Sequence, residues 1–176
     1  MNAGPAGFTP TATGSATDPR PEGFCRVSTL LAAHGHAHPP RWLRVPARTC
    51  AEAANALAVQ TGQIAKGVIF RRRADGVAVL VVASGDRRVD EHKVAAQVGP
   101  RGRADADFVK QQTGFSISGV APAGHSSTPV VLIDRELFRF GQVWAAAGHP
   151  NGVFCLSPAE LVELTGAPVV DVVEVA

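Results

Sequence analysis

The chain has 176 residues, of which 45% are hydrophobic and 18% charged, a balance that excludes a disordered or membrane-embedded polypeptide and suits one globular domain. A formal charge of +2 permits a polyanionic partner without demanding one. Three cysteines, Cys25, Cys50 and Cys155, share no CxxC spacing, which argues against a disulfide framework or a zinc knuckle and for a reduced, cytoplasmic setting.

In chain order, Met1 to about Glu22 is rich in Gly, Pro, Thr and Ala, lacks the basic and apolar regions of a secretory signal, and reads as a disordered tail. No apolar run is long enough to cross a bilayer, so no membrane partner is expected. Ser28 to Ala33 suggests a short helix, and Trp42 to Val45 a strand stopped by Pro46. Thr49-Cys50-Ala51-Glu52 is a capping box opening an alanine-rich helix to Gln60, closed at Gly62. A strand follows over Gln63 to Phe70, and Asp75-Gly76 is a two-residue turn signal leading into Val77 to Val82, apolar enough to be buried on both faces. This hairpin is expected at the centre of the sheet. Asp90 and Asp105 cap two further helices ending at Gly99 and Gly114. Phe115 to Ser118 and Val130 to Asp134 read as strands, and Gln142 to Ala147 fits helix or strand equally. Val153 to Leu156 is a strand, Ser157-Pro158-Ala159-Glu160 opens a last helix reaching Gly166, and Val169 to Val173 suggests an edge strand. Without strict βαβ alternation, a mixed sheet is favoured over a doubly wound parallel one.

Two stretches carry chemistry. Lys66 interrupts an apolar strand, where alternation places it on the face of Ile64, Val68 and Phe70; a lysine there is either a snorkelling side chain or a functional cation. Residues Ser118 to Pro129 hold two glycines and two prolines, with small side chains that leave main-chain N–H groups free to approach an oxyanion; an ordinary connection is the competing reading.

Together the run Ile64-Ala65-Lys66-Gly67-Val68-Ile69-Phe70, the loop Gly119-Val120-Ala121-Pro122-Ala123-Gly124-His125, and Gly148-His149-Pro150 followed by Leu161 to Gly166 resemble the YbaK/ProX family. That family comprises free-standing aminoacyl-tRNA deacylases and the related editing insertion domain of bacterial prolyl-tRNA synthetases. The resemblance covers roughly Val27 to Val173 and implies a compact α/β domain over residues 23–176, built on a mixed, highly curved sheet surrounded by helices. It implies hydrolysis in trans of the ester on misacylated tRNA, above all tRNA for proline carrying a small wrong amino acid, without metal or cofactor. Lys66 matches the family's functional lysine, and Gly119 to Gly124 its glycine-and-proline loop. Ala121 and Ala123 replace residues that are often bulkier in relatives.

On this reading Lys66, Gly119, Gly124 and His125 form the catalytic set, and Ala121, Pro122, Ala123, Asp134 and His149 bind substrate. Fixed N–H donors of the loop would stabilise the tetrahedral oxyanion, Lys66 would hold the other negative feature, and water or the ribose 2′-hydroxyl would attack. Arg71, Arg72 and Arg73, with Arg87 and Arg88 and with Arg101 and Arg103, are candidate contacts to acceptor-stem phosphates, solvated surface being the plainer alternative. Expected partners are the acceptor end of misacylated tRNA and, beyond it, prolyl-tRNA synthetase or a translation factor. Two other classes stay open. One is a non-catalytic tRNA- or synthetase-binding module of the same fold; the other is a metalloenzyme using His34, His36 and His38, which lack a neighbouring carboxylate or cysteine in sequence.

Overall fold

The structure, a computed structural model, describes residues 20–176. Helices begin where the capping signals predict. Helix α2, Cys50–Leu57, is held by a reciprocal box in which Thr49 Oγ1 accepts the Glu52 N–H at 3.1 Å and the Glu52 carboxylate accepts the Thr49 N–H at 3.1 Å. Asp90 caps α3 (Glu91–Val98), Asp105 caps α4 (Ala106–Thr113), and the Ser157/Glu160 box with Pro158 in the first turn opens α5 (Pro158–Thr165). Each such cap contributes about 1 kcal/mol. Helix α2 stops earlier than expected, at Ala58, which adopts a left-handed cap at φ 55°. Gly62 belongs instead to a 3-10 turn over Thr61–Gln63.

Helix α1 spans Glu22–Ala33, six residues longer at its start than the sequence suggested, because Phe24, Val27 and Leu31 form one buried stripe. Most of the tail expected over residues 1–22 lies outside the described residues. Its last part is ordered: the Arg20 guanidinium lies 4.5 Å over the Trp42 ring, and Glu22 is already helical.

The strands are β1 (Arg41–Trp42), β2 (Ile64–Arg72), β3 (Ala78–Ser84), β4 (Arg101–Arg103), β5 (Val130–Asp134), β6 (Val143–Ala146), β7 (Gly152–Leu156) and β8 (Val169–Val170). They form one mixed sheet in the order β1-β7-β6-β2-β3-β5-β8, with β4 added to β2. The β2–β3 hairpin is central, and every residue of β3 is buried. Its turn is longer than two residues: Arg72 and Val77 pair across Arg73–Gly76, with Gly76 at φ 73°. Strand β1 is cut to two residues because the chain leaves the sheet after Leu43, whose N–H donates to the Asn151 carbonyl at 2.7 Å. Phe115 to Ser118 is not a strand; the Gly119 N–H returns to the Ser116 carbonyl at 2.9 Å and makes a turn, while Phe115 is anchored in the core. Strand β4 had no sequence signature, since Arg-Gly-Arg has weak strand propensity and is held there by pairing with Phe70–Arg72.

The decisive feature of the topology lies along β2. On one side it pairs with β3 over its whole middle, from Ala65 to Arg71. On the other it pairs with β6 only at Ile64–Ala65 and with β4 only at Phe70–Arg72, so Lys66 to Ile69 face a notch with no strand partner there among the described residues. Packing divides at the same place. Ala65 and Ile69 face the main core with Leu80, Val82 and Phe115; on the opposite face Ile64 joins a small cluster with Ala53 and Ala54, whereas Val68 and Phe70 join another with Val79, Val81 and Val94. Lys66 sits on that opposite face, between the two clusters.

Asp134 corrects one expectation. It is 0% exposed and not part of the wall around Lys66, its carboxylate accepting the Glu136 N–H and the Val172 N–H at 2.8 Å each, so it ties the end of β5 to the C-terminal segment. Asp134→Ala would strand two N–H groups, one of them buried, and should lower the unfolding free energy by roughly 2–3 kcal/mol. A urea midpoint unchanged from that of the parent protein would contradict this bracing role.

Candidate active site

The notch is the inner wall of a cavity of about 140 Å³. Its floor is Ile64 to Gly67 of β2 and Trp144 to Ala146 of β6; the rim comes from Arg48, Thr49 and Cys50 at the start of α2, from Ile117, Ser118 and Val120, and from His149 and Pro150. Among the described residues no carboxylate lines it. The polar groups facing it are therefore cations, hydroxyls, a thiol and an imidazole.

Lys66 is placed here by strand geometry. Its Nζ donates to the Arg87 carbonyl, in the turn that closes when the Arg87 N–H meets the Ser84 carbonyl at 3.0 Å. An ammonium has three N–H bonds, so two are available to a ligand. Cys50 stands close enough to feel its charge: burial pushes the thiol up from its ordinary value, and Lys66 partly opposes that shift.

Across the cavity, the family-like loop rests on the β6–β7 turn, backbone against backbone. A Cβ on Gly119 would lie 2.7 Å from the His149 backbone, and Gly148 adopts φ 79°, so both positions require glycine. The loop then passes over β2, with the Val120 carbonyl facing Gly67. Among the described residues, the Gly119 N–H is taken by Ser116 whereas the Val120 N–H has no acceptor.

Only the start of this loop reaches the cavity. Ala121 is 0% exposed within the main core, Pro122 is buried, and neither they nor Ala123, Gly124 and His125 line the wall. The structure places these residues, expected at the substrate, behind the cavity wall, where they support the loop. His125 Nε2 donates to the Ala121 carbonyl at 2.7 Å and the ring packs edge-on against Phe115, bracing the loop from behind. Burial, aided by the Arg26 charge, holds its pKa below the usual histidine value, against the opposing effect of the Ala121 bond.

His149 does line the cavity. Its Nδ1 accepts the Asn151 N–H at 3.1 Å, which fixes the proton on Nε2 and presents a neutral N–H donor. The ring stacks on Trp42 with centroids 4.9 Å apart, and burial lowers its pKa.

The arginines anticipated as phosphate contacts divide differently. Arg72 pairs with Asp75 at 2.6 Å, Arg87 with Glu136 at 3.2 Å and Arg88 with Glu174 at 3.5 Å. Arg71 lies over the Phe108 ring and Arg73 donates to the Arg101 carbonyl, roughly 17–23 Å along β2 from Lys66. None of these five side chains reaches the cavity. Of the histidines at 34, 36 and 38, His34 bonds the Leu30 carbonyl, and His36 bonds the Cys155 carbonyl with Glu160 3.4 Å from its other nitrogen. Among the described residues no three His, Cys, Asp or Glu side chains are grouped as metal ligands. Sequence reasoning missed Arg48, Cys50, Ser118 and Trp144; the capping box located the start of α2, but nothing local shows that this turn folds over the Lys66 strand.

Residues 44–164 match the aminoacyl-tRNA editing domain family. The chain belongs to that family. It is 37% identical over 118 residues to the uncharacterized protein YwhH of Bacillus subtilis (strain 168), covering 66% of this chain and 74% of that protein. Among solved structures, a candidate trans-editing enzyme for prolyl tRNA synthetase superposes with a TM-score of 0.82 at 36% identity, covering 89% of this chain and 100% of the other. The hypothetical protein APE2540 superposes with a TM-score of 0.79 at 35% identity, over 85% and 99% of the two chains. The editing domain thus has the mixed α/β fold that its motifs imply, and tRNA as the interacting class. No described helix is long and apolar enough to cross a membrane.

Two outcomes test this geometry. Because His125 and His149 have lowered pKa values when folded, protonation favours the unfolded chain; stability should be full above about pH 6.5 and fall as the pH drops below it. Urea midpoints measured between about pH 8 and pH 5 should show that fall, and His125→Gln should flatten it; an identical slope in the variant would remove His125 from this account. At neutral pH, iodoacetamide should label the exposed Cys25 faster than Cys50, and Lys66→Met should slow Cys50 further because the opposing cation is gone. Peptide mass spectrometry reads both rates, and faster labelling of Cys50 in the variant would deny the proximity of the two groups.

Proposed function

We propose that this cavity hydrolyses the ester joining a small, wrong amino acid to the terminal adenosine of a tRNA, with tRNA for proline as the first candidate. Family membership supports deacylation, and the structural relative described as a trans-editing enzyme for prolyl tRNA synthetase supports the choice of tRNA. The observation that carries the chemistry is that Lys66, an ammonium with N–H bonds to spare, and Val120, whose backbone N–H has no acceptor among the described residues, line one small space with no carboxylate from those residues in its wall.

Ester hydrolysis builds negative charge on the carbonyl oxygen. Donors already fixed before reaction stabilise it without reorganisation, and this is the largest single electrostatic effect open to such a site. The Val120 N–H is held by the Gly119 turn, Lys66 is held by the Arg87 carbonyl, and the His149 Nε2–H supplies a third, neutral donor. With no carboxylate among the described wall residues to serve as a strong base, the nucleophile is a water oriented beside the ribose 2′-hydroxyl, and proximity supplies much of the rate. Water adds to the carbonyl carbon, the bond to the ribose oxygen breaks, and that oxygen leaves with a proton. Cations at the wall repel a divalent ion and oxygen ligands are scarce, so the reaction proceeds without metal.

Size selection follows from the walls. A space of about 140 Å³ is comparable to an engineered cavity of about 150 Å³ that binds benzene. It admits a short side chain bounded by Ala53, Ile64 and Ala145. The residues that set this limit differ from the loop alanines that drew attention in the sequence.

A panel of misacylated tRNAs assayed for deacylation tests the proposal. Wild type should prefer alanine-sized esters, and Lys66→Ala should lose about 10²–10³ in kcat while folding normally by circular dichroism. Full activity in that variant would refute the role of Lys66. Binding of tRNA with no hydrolysis of any ester would instead mark a non-catalytic module.

A further inference from the structure

The anticipated phosphate contacts are largely paired with carboxylates or lie far along β2, which leaves open what meets the polyanion beside the cavity. Three other arginines lie on the segment that leads to its rim. Arg48 lines it, Arg41 lies 5.4 Å over the ring of Trp144 in the cavity floor, and Arg44 projects from the loop joining β1 to α2. All three are exposed, and none has a carboxylate in ion-pair range among the described residues. Glu52, the nearest acid in sequence, has its carboxylate occupied by the N–H groups of Arg48 and Thr49.

The loop carrying them is fixed rather than trailing. Leu43 exchanges hydrogen bonds with Asn151, N–H to carbonyl at 2.7 Å and side-chain amide to carbonyl at 2.8 Å, and the Ala47 N–H donates to the Pro150 carbonyl at 2.9 Å. Between these anchors Arg44, Val45 and Pro46 stand out into solvent, with Val45 71% exposed. Across the opening Ile117 is 53% exposed. Exposed guanidinium groups without an ion-pair carboxylate among the described residues, beside exposed aliphatic side chains on a segment that ends at the cavity rim, match a single strand that offers phosphates and unstacked base faces together.

We infer that Arg41, Arg44 and Arg48 form a phosphate-binding ledge for the single-stranded 3′ end of the acceptor arm, with Val45 and Ile117 against its last bases. The inference rests on the deacylase reading above for the identity of the nucleic acid. It replaces the Arg71–Arg73 and Arg87–Arg88 clusters as the principal electrostatic contact.

The test is binding, which does not require hydrolysis. A fluorescent acceptor-stem RNA hairpin with an unpaired 3′ tail is titrated by anisotropy over a range of salt. For the single-strand contribution, each lost phosphate contact lowers the logarithmic salt slope by about 0.7, so the Arg44→Gln/Arg48→Gln double variant should lose roughly 1.4 from its slope. Arg44→Lys/Arg48→Lys should keep most of the slope, because charge is retained. Lys110→Gln, which removes one charge from α4, should leave the slope as in wild type. Steady-state deacylation by the double Gln variant should show a raised KM. A wild-type slope in the double Gln variant, or a hairpin that wild type does not bind, overturns the ledge. If wild type hydrolyses no ester but the slope falls as stated, the ledge stands and the deacylase reading falls.

Discussion

A strand that keeps one neighbour throughout but changes partner along its other edge is the constraint on which the rest of this molecule depends. Because β6 leaves β2 after Ala65 and β4 joins only at Phe70, the sheet contains an opening in its middle rather than at a border. The opening is lined by backbone whose partners are missing, and a loop, a turn and a helix start converge on it. A pocket in this position inherits the rigidity of the sheet's centre, where β3 is buried along its whole length. Lys66 belongs to the same logic. The apolar face it shares is interrupted where two hydrophobic clusters fail to meet, and a nearby carbonyl takes one of its three N–H bonds.

Much of this was readable from local signals. Capping boxes at Thr49 and Ser157 and single caps at Asp90 and Asp105 are interactions between residues three apart, so their geometry is written into short sequence. The central hairpin follows from apolar runs around Asp75-Gly76 in the same way. What escaped was set by contacts distant in the chain. Strand β4 exists only because Phe70–Arg72 offers an edge, and the run after Gly114 is a turn because Phe115 is drawn into the core beside α1.

The same distinction explains the site. Lys66 and His149 could be singled out because a lysine in a strand and a Gly-His-Pro turn are unusual in themselves. Asp134 and His125 were equally conspicuous, yet one secures the C-terminal segment and the other props the loop from the rear. Which conspicuous polar residue faces the cavity and which faces the protein depends on the direction of approach of neighbouring elements, and residue type does not encode that. The arginines divide for a related reason. Runs such as Arg71–Arg73 attract notice, but whether a guanidinium stays free of an ion pair depends on which carboxylate folds beside it, as Asp75 does beside Arg72.

The contact between Gly119 and the His149 main chain joins two segments that hold donors of different kinds, a peptide amide and an imidazole. With no side chain interposed, they form a single jaw whose spacing is set by the polypeptide itself. Wall residues such as Ala53 or Ile64 are therefore free to vary in bulk while that jaw keeps its gauge. Bulk in the throat and spacing of the donors are thus set by separate parts of the scaffold, so one can change without reinventing the other.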